Sequence, residues 1–459
     1  GERKAFHFHI FALSSGHNQP NIIMSDLTNA LGPVKASERI AALDVLRGVA
    51  LLGILLMNIT GFGLVFMAYG DPTVQGGSEG LNLLVWKMNN LFFEGTMRAM
   101  FSMLFGVGMV LMTSRMINRG GGLEVADIYY RRTIWLLVFG VIHAYLILWP
   151  GEILFSYGLY GLFLFPFRNT PAKKLLIGVA VLIMFGFALQ YYQYNSNMDS
   201  YEKYELAQTY EEGTELPDEV KEGKEAWEGM MAEMKPDTDR IHKNTESMHK
   251  GYLDLVLFLA PINRMVQTSF NYDYNPWDVL PMMLLGIALF KLQVITASLR
   301  RRDYLLMMVL GYGIGVSINY YETMILLNGN FSVLAFMKSG LTYPFGRVAV
   351  AFGHIGLIML FCKSGLLGFL KNALAAVGRM ALTNYIMHSV ICAFVFTGIG
   401  FSLFGQLQRY ELYYVVGGIW LFQLIASPIW LKYFRFGPLE WLWRSLTYKE
   451  RQPFKRKLQ

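Results

Sequence analysis

The sequence predicts an all-α, polytopic membrane protein with about ten transmembrane helices, and three observations carry that expectation. Of its 459 residues 54% are hydrophobic and 15% aromatic, and the mean hydropathy is +0.35. Only 16% are charged, against about 25% in an ordinary soluble domain. The apolar runs are about 20 residues long rather than about 10-residue alternations, so each satisfies its own backbone in hydrocarbon as a helix and a β-barrel is excluded.

The chain divides in order. Residues 1–38 read as a disordered leader and cytoplasmic N-terminus, whose brief apolar patch before Met24 is too short for a signal-peptide core. Residues 39–192 form a first membrane half, with apolar segments at 43–69, 83–113, 133–149, 151–167 and 173–192. Pro150 and Gly151 alone separate the third segment from the fourth, which predicts a tight hairpin. Residues 193–252 are rich in Glu and Asp and poor in aliphatics, and read as a soluble, acidic, extracytoplasmic helical insert. Residues 253–435 form the second half, with segments at 277–292, 304–327, 344–362, 380–404 and 413–434. The stretch 253–270, interrupted by Pro261, Asn263 and Arg264, is expected to be interfacial or re-entrant. Residues 436–459 read as a cytoplasmic amphipathic segment, with Glu440 and Arg444 at i and i+4 beside Trp441 and Trp443.

The formal charge of +7 is not a nucleic-acid signature, because the basic residues cluster at the ends of apolar runs. Lys35, Arg39, Arg115, Arg119, Arg131, Arg132, Arg168, Lys173 and Lys174 fall on one side under ten spans. Lys291, Arg300, Arg301, Arg302, Lys363, Lys371, Arg379, Lys432 and Arg435 continue it, so the positive-inside rule places both termini in the cytoplasm. Membrane lipids are the expected surroundings, and a homo-oligomer is left open. Cys362 and Cys392 lack any metal-ligand or disulfide spacing, so no metal is expected.

An ionisable group deep in a span costs about 2.5–3.5 kcal/mol, so such groups are the informative ones. Asp44 and Arg47 in LDVLRG share a helix face at the cytoplasmic mouth of the first span, as a salt bridge or an anion-binding mouth. Glu94 and Arg98 stand at i and i+4 in the second span, an outer-leaflet pair or a substrate contact, and Gly106 and Gly108 follow as packing glycines. In GVIHAYLILWPGEILFSYG, His143 and Glu152 flank the hairpin, where a carboxylate could orient an imidazole as a general base; a satisfied packing histidine is the bland alternative. Asn384 and His388 lie one turn apart in the ninth segment above Arg379, lining a cavity or serving as interhelical glue. Arg347 and His354 read as structural. There is no HExxH pair.

RIAALDVLRGVALLGILLMNI, GRMALTNYIMHSVI and FRFGPLEWLWRSLTY together resemble the YeiB family of bacterial inner-membrane proteins, over nearly the whole chain. FSMLFGVGMVL, HAYLILWPGEILFSYG and WDVLPMMLLGIALFK fit the family pattern in order. More distantly, the LDxxRG opening is similar to that of transmembrane acyltransferases such as the heparan-α-glucosaminide N-acetyltransferases. That resemblance implies acyl transfer from cytoplasmic acyl-CoA to an acceptor reached through the membrane. Glu152 stands where the pattern usually has aspartate, His388 where it has glutamine, and no histidine lies near Glu94 and Arg98 to match the acetyltransferases' recognition segment. The leading expectation is therefore an inner-membrane acyltransferase acting on a hydroxyl or amine, with His143 and Glu152 as the catalytic pair. Asp44, Arg47, Glu94, Arg98, Arg379, Asn384 and His388 are its donor- or substrate-binding residues. A transporter or channel lined by buried Arg, His and Glu is the rival, and a scaffold presenting the acidic insert is a third reading.

Overall fold

A computed structural model describes residues 40–456 except 212 and 236; the expected leader, with Lys35 and Arg39, lies outside the described residues. The described chain is helical, with no β-strand. Helix α1 is Ala41–Gly63, α2 Gly80–Phe92, α3 Thr96–Asn118, α4 Glu124–Tyr145, α5 Leu154–Leu164 and α6 Ala172–Gln208. Then follow α7 (Asp218–Met234), α8 (Thr238–Met248), α9 (Tyr252–Met265), α10 (Asn275–Lys291), α11 (Arg301–Asn328) and α12 (Val333–Gly340). The last five are α13 (Tyr343–Lys363), α14 (Gly368–Arg379), α15 (Ala381–Phe396), α16 (Arg409–Tyr433) and α17 (Pro438–Tyr448).

Six described segments are long and apolar enough to cross a membrane: α1, α2 with α3, α6, α11, α13 and α16. A seventh is added if α14 and α15, bent by 83°, cross as one broken span. Three of the ten expected spans are helical but shorter or more polar than this. Helix α4 carries Arg131, Arg132 and His143 along its 22 residues, α5 has 11 residues, and α10 has 17, whereas about 20 apolar residues match a hydrocarbon core. The tight hairpin becomes an eight-residue turn, 146–153, with Leu148 in the left-handed region at φ 63°. The stretch from 253 is the helix α9, running on through a wide helical turn, Val266–Phe270, toward α10.

Helix α6 is 37 residues long, about 55 Å, so it outruns a hydrocarbon core of about 30 Å. Its polar end carries the acidic region. There α7 folds back on it, burying Trp227 beside Tyr201 (ring centroids 4.9 Å apart), and α8 reaches Gln75 through Thr245 at 3.3 Å.

Small residues set the crossings that position the site. A Cβ on Gly48 of α1 would strike the Leu374 carbonyl of α14, and one on Gly378 would strike the Asp44 carbonyl, so these helices touch backbone to backbone. Between α3 and α10, Gly106 packs on the Met283 carbonyl and Gly286 on the Met103 carbonyl. Gly106 thus packs as expected, while Gly108 faces open space.

Candidate functional site

A cavity of about 280 Å³ opens where the basic ends of α1, α3, α4, α14 and α17 converge. Its mouth carries Asp44 and five arginines, Arg47, Arg115, Arg132, Arg379 and Arg444. The α1–α14 backbone contact brings Arg379 beside Asp44, which pairs with Arg47 at 3.0 Å as their spacing predicts. Arg132 stacks under Trp443 of α17 at 3.5 Å, and the indole N–H donates to the Arg132 carbonyl at 2.8 Å. Glu440 does not spend its carboxylate on Arg444 as the i, i+4 spacing suggests. It accepts from the Leu382 and Thr383 N–H groups at 2.7 and 3.1 Å and from the Thr383 hydroxyl at 2.6 Å, capping α15 and fixing α17 across the mouth. Burial draws the Arg444 guanidinium below its ordinary pKa, a pull that Tyr448 and Glu440 oppose. Positive charge at this mouth outnumbers the carboxylates of Asp44 and Glu440.

Inward the lining turns apolar and aromatic, with Phe101, Leu104, Phe105, Leu136 and Leu154, and reaches Tyr157 and Tyr385. Tyr157 shares a 2.8 Å hydrogen bond with Ser102, and Tyr385 accepts from the Ile153 N–H at 3.1 Å. Behind Tyr385 stands His143, fully buried, with the two rings edge to face at 5.1 Å.

The expected His143–Glu152 pair is not formed. His143 Nε2 meets Ser389 Oγ at 2.7 Å and its Nδ1 has no partner. Glu152 accepts from the N–H groups of Leu154 at 2.7 Å and Phe155 at 3.1 Å, and from Gln267 at 3.4 Å. The cause is local: a carboxylate two residues before a helix start is captured by that helix's free N–H groups. Asn384 and His388 share a face as expected, but that face is knitted to α16. Asn384 donates to Ser427 at 3.0 Å, His388 bonds Gln423 at 3.0 Å, and Gln423 donates back to the Asn384 carbonyl at 2.9 Å.

Glu94 and Arg98 also part from the expected pairing. Arg98 is bonded to Asp278 of α10 at 2.9 Å, and Arg347 of α13 closes on the same carboxylate. Gly95, at φ 67°, brings this turn against the Tyr343 hydroxyl, to which Arg98 donates at 3.4 Å. Tyr157 reaches the Arg98 carbonyl at 3.4 Å, so this charge cluster lies just past the inner end of the cavity. His354 is structural, bonded to the Phe92 carbonyl at 2.8 Å and to Tyr312 at 2.7 Å. Sequence reasoning overlooked Ser389, Tyr385 and Asp278. Asp278 alone had a usable signal, a carboxylate opening an apolar run.

The family described as "Protein of unknown function (DUF418)" matches residues 289–450. An uncharacterized protein of Bacillus subtilis, YxaH, is 29% identical over 446 residues, covering 94% of this chain and 99% of the relative. The uncharacterized protein YeiB of Escherichia coli is 30% identical over 91% of this chain and 98% of its own length. An uncharacterized 39.9 kDa protein of Bacillus acidopullulyticus is 25% identical over 92% of this chain. No solved structure matches.

Proposed function

The chain belongs to the YeiB family, and from that premise we propose that it is an inner-membrane acyltransferase that moves an acyl group from acyl-CoA to a hydroxyl or amine. One observation carries the proposal: five arginines crowd the mouth of a cavity whose interior is apolar and aromatic. That polarity fits an amphiphile with a multiply charged anionic head. Guanidinium forks bind phosphates through paired charge-assisted hydrogen bonds, and the arginine mouth suits the phosphates of coenzyme A. The acyl thioester then lies among Phe101, Phe105, Leu136 and Leu154. His143 is the proposed base, with Ser389 as its neighbour in place of Glu152, and Tyr385 separates it from the donor cavity. In this arrangement Glu152 serves the fold as the cap of α5.

Acyl-CoA is expected to raise the thermal midpoint of the detergent-solubilised protein, since a ligand that binds only the folded state stabilises it by mass action. Arg47→Ala is expected to weaken that binding about tenfold while the protein remains extractable, because one charge-assisted contact is lost. Unchanged affinity, measured by calorimetry, would reduce Arg47 to the salt-bridge partner of Asp44. A transporter is the second reading, favoured by the Arg98–Asp278–Arg347 cluster in line with the cavity; a transporter should show no protection by acyl-CoA.

Both termini are proposed to be cytoplasmic, with the acidic region outside. A reporter after Lys457 should then be cytoplasmic and one near Thr214 extracytoplasmic, as read by paired phosphatase and fluorescent-protein fusions. The opposite pattern would reverse every side, and with it the supply of acyl-CoA to the arginine mouth.

A further inference from the structure

We infer that a second groove, on the membrane-facing side of the wall formed by α4 and α17, binds the headgroup of an anionic phospholipid. The groove is lined by Arg131 and Trp135 of α4 and by Ser445, Leu446, Lys449 and Arg451 in and just after α17. It is distinct from the arginine-mouthed cavity, yet the two share a wall. Arg131 faces the groove and its neighbour Arg132 the cavity; Ser445 faces the groove and its neighbour Arg444 the cavity.

Charge, position and shape favour a lipid over a soluble anion. Three cations converge here, and only Arg131 has a carboxylate committed to it, Asp127 one turn earlier; Glu450 also lines the groove. The buried Arg131 Nε has no hydrogen-bond partner. Lys449 is held in the left-handed region at φ 56° where α17 ends, and Arg451 lies 6.0 Å from the Trp441 ring centroid. The chain there is folded back, with the Glu450 and Gln452 N–H groups bonded to Ser445 at 3.2 Å, so both cations stand on ordered backbone. From the groove, α4 presents exposed Ile134, Val138, Val141 and Ile142, which share one helix face. A headgroup phosphate among the cations therefore has its acyl chains laid along that stripe, next to Trp135, a residue type enriched at headgroup depth. A free phosphate would use the cations and leave the stripe unused. The shared wall gives the lipid a consequence: it holds α4 and α17 together beside the donor cavity.

The test is lipid retention by the full-length protein in detergent, read by native mass spectrometry and by thermal midpoint with added phosphatidylglycerol, phosphatidylcholine or inorganic phosphate. Phosphatidylglycerol should bind and stabilise, phosphatidylcholine and phosphate should not, and Lys449→Ala with Arg451→Ala should weaken phosphatidylglycerol binding about tenfold. Because both residues are exposed, the lipid-free midpoint of the double variant should equal that of the unsubstituted protein. Retention of phosphatidylglycerol no better than phosphatidylcholine, or equal retention by the double variant, would overturn the inference. So would stabilisation by inorganic phosphate equal to that by the lipid, which would mark a soluble-anion site instead. None of these outcomes depends on acyl transfer, so this inference and the proposed function fail separately.

Discussion

His143→Ala is expected to lower acyl transfer about 10²- to 10⁴-fold while leaving acyl-CoA affinity unchanged, because a general base acts on the reacting proton and contributes little to holding the donor. Its geometry makes the measurement specific. His143 is fully buried behind Tyr385, while the charged contacts offered to the donor are at the other end of the cavity. His143→Gln supplies the control, since an amide can still bond Ser389 but cannot take up a proton at neutral pH. If glutamine restores transfer, His143 is packing; if both variants are inactive and still bind acyl-CoA, it is the base. Full activity in His143→Ala would leave His388 as the remaining buried histidine of that face, already committed to Gln423. Glu152→Gln should now behave as a cap mutation, costing about 0.5–2 kcal/mol of stability and leaving the pH profile of transfer in place, because its carboxylate serves Leu154 and Phe155.

What the sequence made legible follows from the range of each interaction. Asp44 and Arg47 pair as expected because three residues on one helix fix their distance. Helical class and the close approach at Gly106 are likewise local properties of composition and spacing. The pairs that failed were inferred from nearness along the chain. His143 lies nine positions from Glu152 yet bonds Ser389, 246 positions away. Arg98 passes over Glu94, four residues before it, for Asp278. In each case a partner distant in sequence or a free helix N-terminus takes the side chain instead. For a related reason, only six of the ten expected spans, or seven with the bent pair, are described helices long and apolar enough to cross a membrane. A run of apolar residues registers the absence of water, and a short helix buried within a bundle meets that condition as well as one facing lipid.

Asp278→Ala is expected to cost about 3–5 kcal/mol, the largest stability loss among the charged residues of the bundle, because it leaves two guanidinium groups without their shared carboxylate. The asymmetry of the cluster sharpens the expectation. The Arg347 side chain is 5% exposed and that of Arg98 27%, so Arg98→Ala should cost less: Arg347 stays on Asp278 and the lost cation was partly solvated. Asp278→Leu combined with Arg347→Met should recover only part of the single-variant loss, because it removes the more buried cation together with the carboxylate but leaves Arg98, 27% exposed, without its partner. Thermal unfolding in detergent of the three variants, compared at one protein concentration, measures this order. If Asp278→Ala costs no more than Arg98→Ala, water already reaches the cluster and its charges are held for a passing solute, which is the condition a transporter needs. If the order holds and transfer survives in the Leu/Met pair, the cluster is a structural clamp joining α3, α10 and α13, and the chemistry belongs to the cavity on the other side of Tyr157.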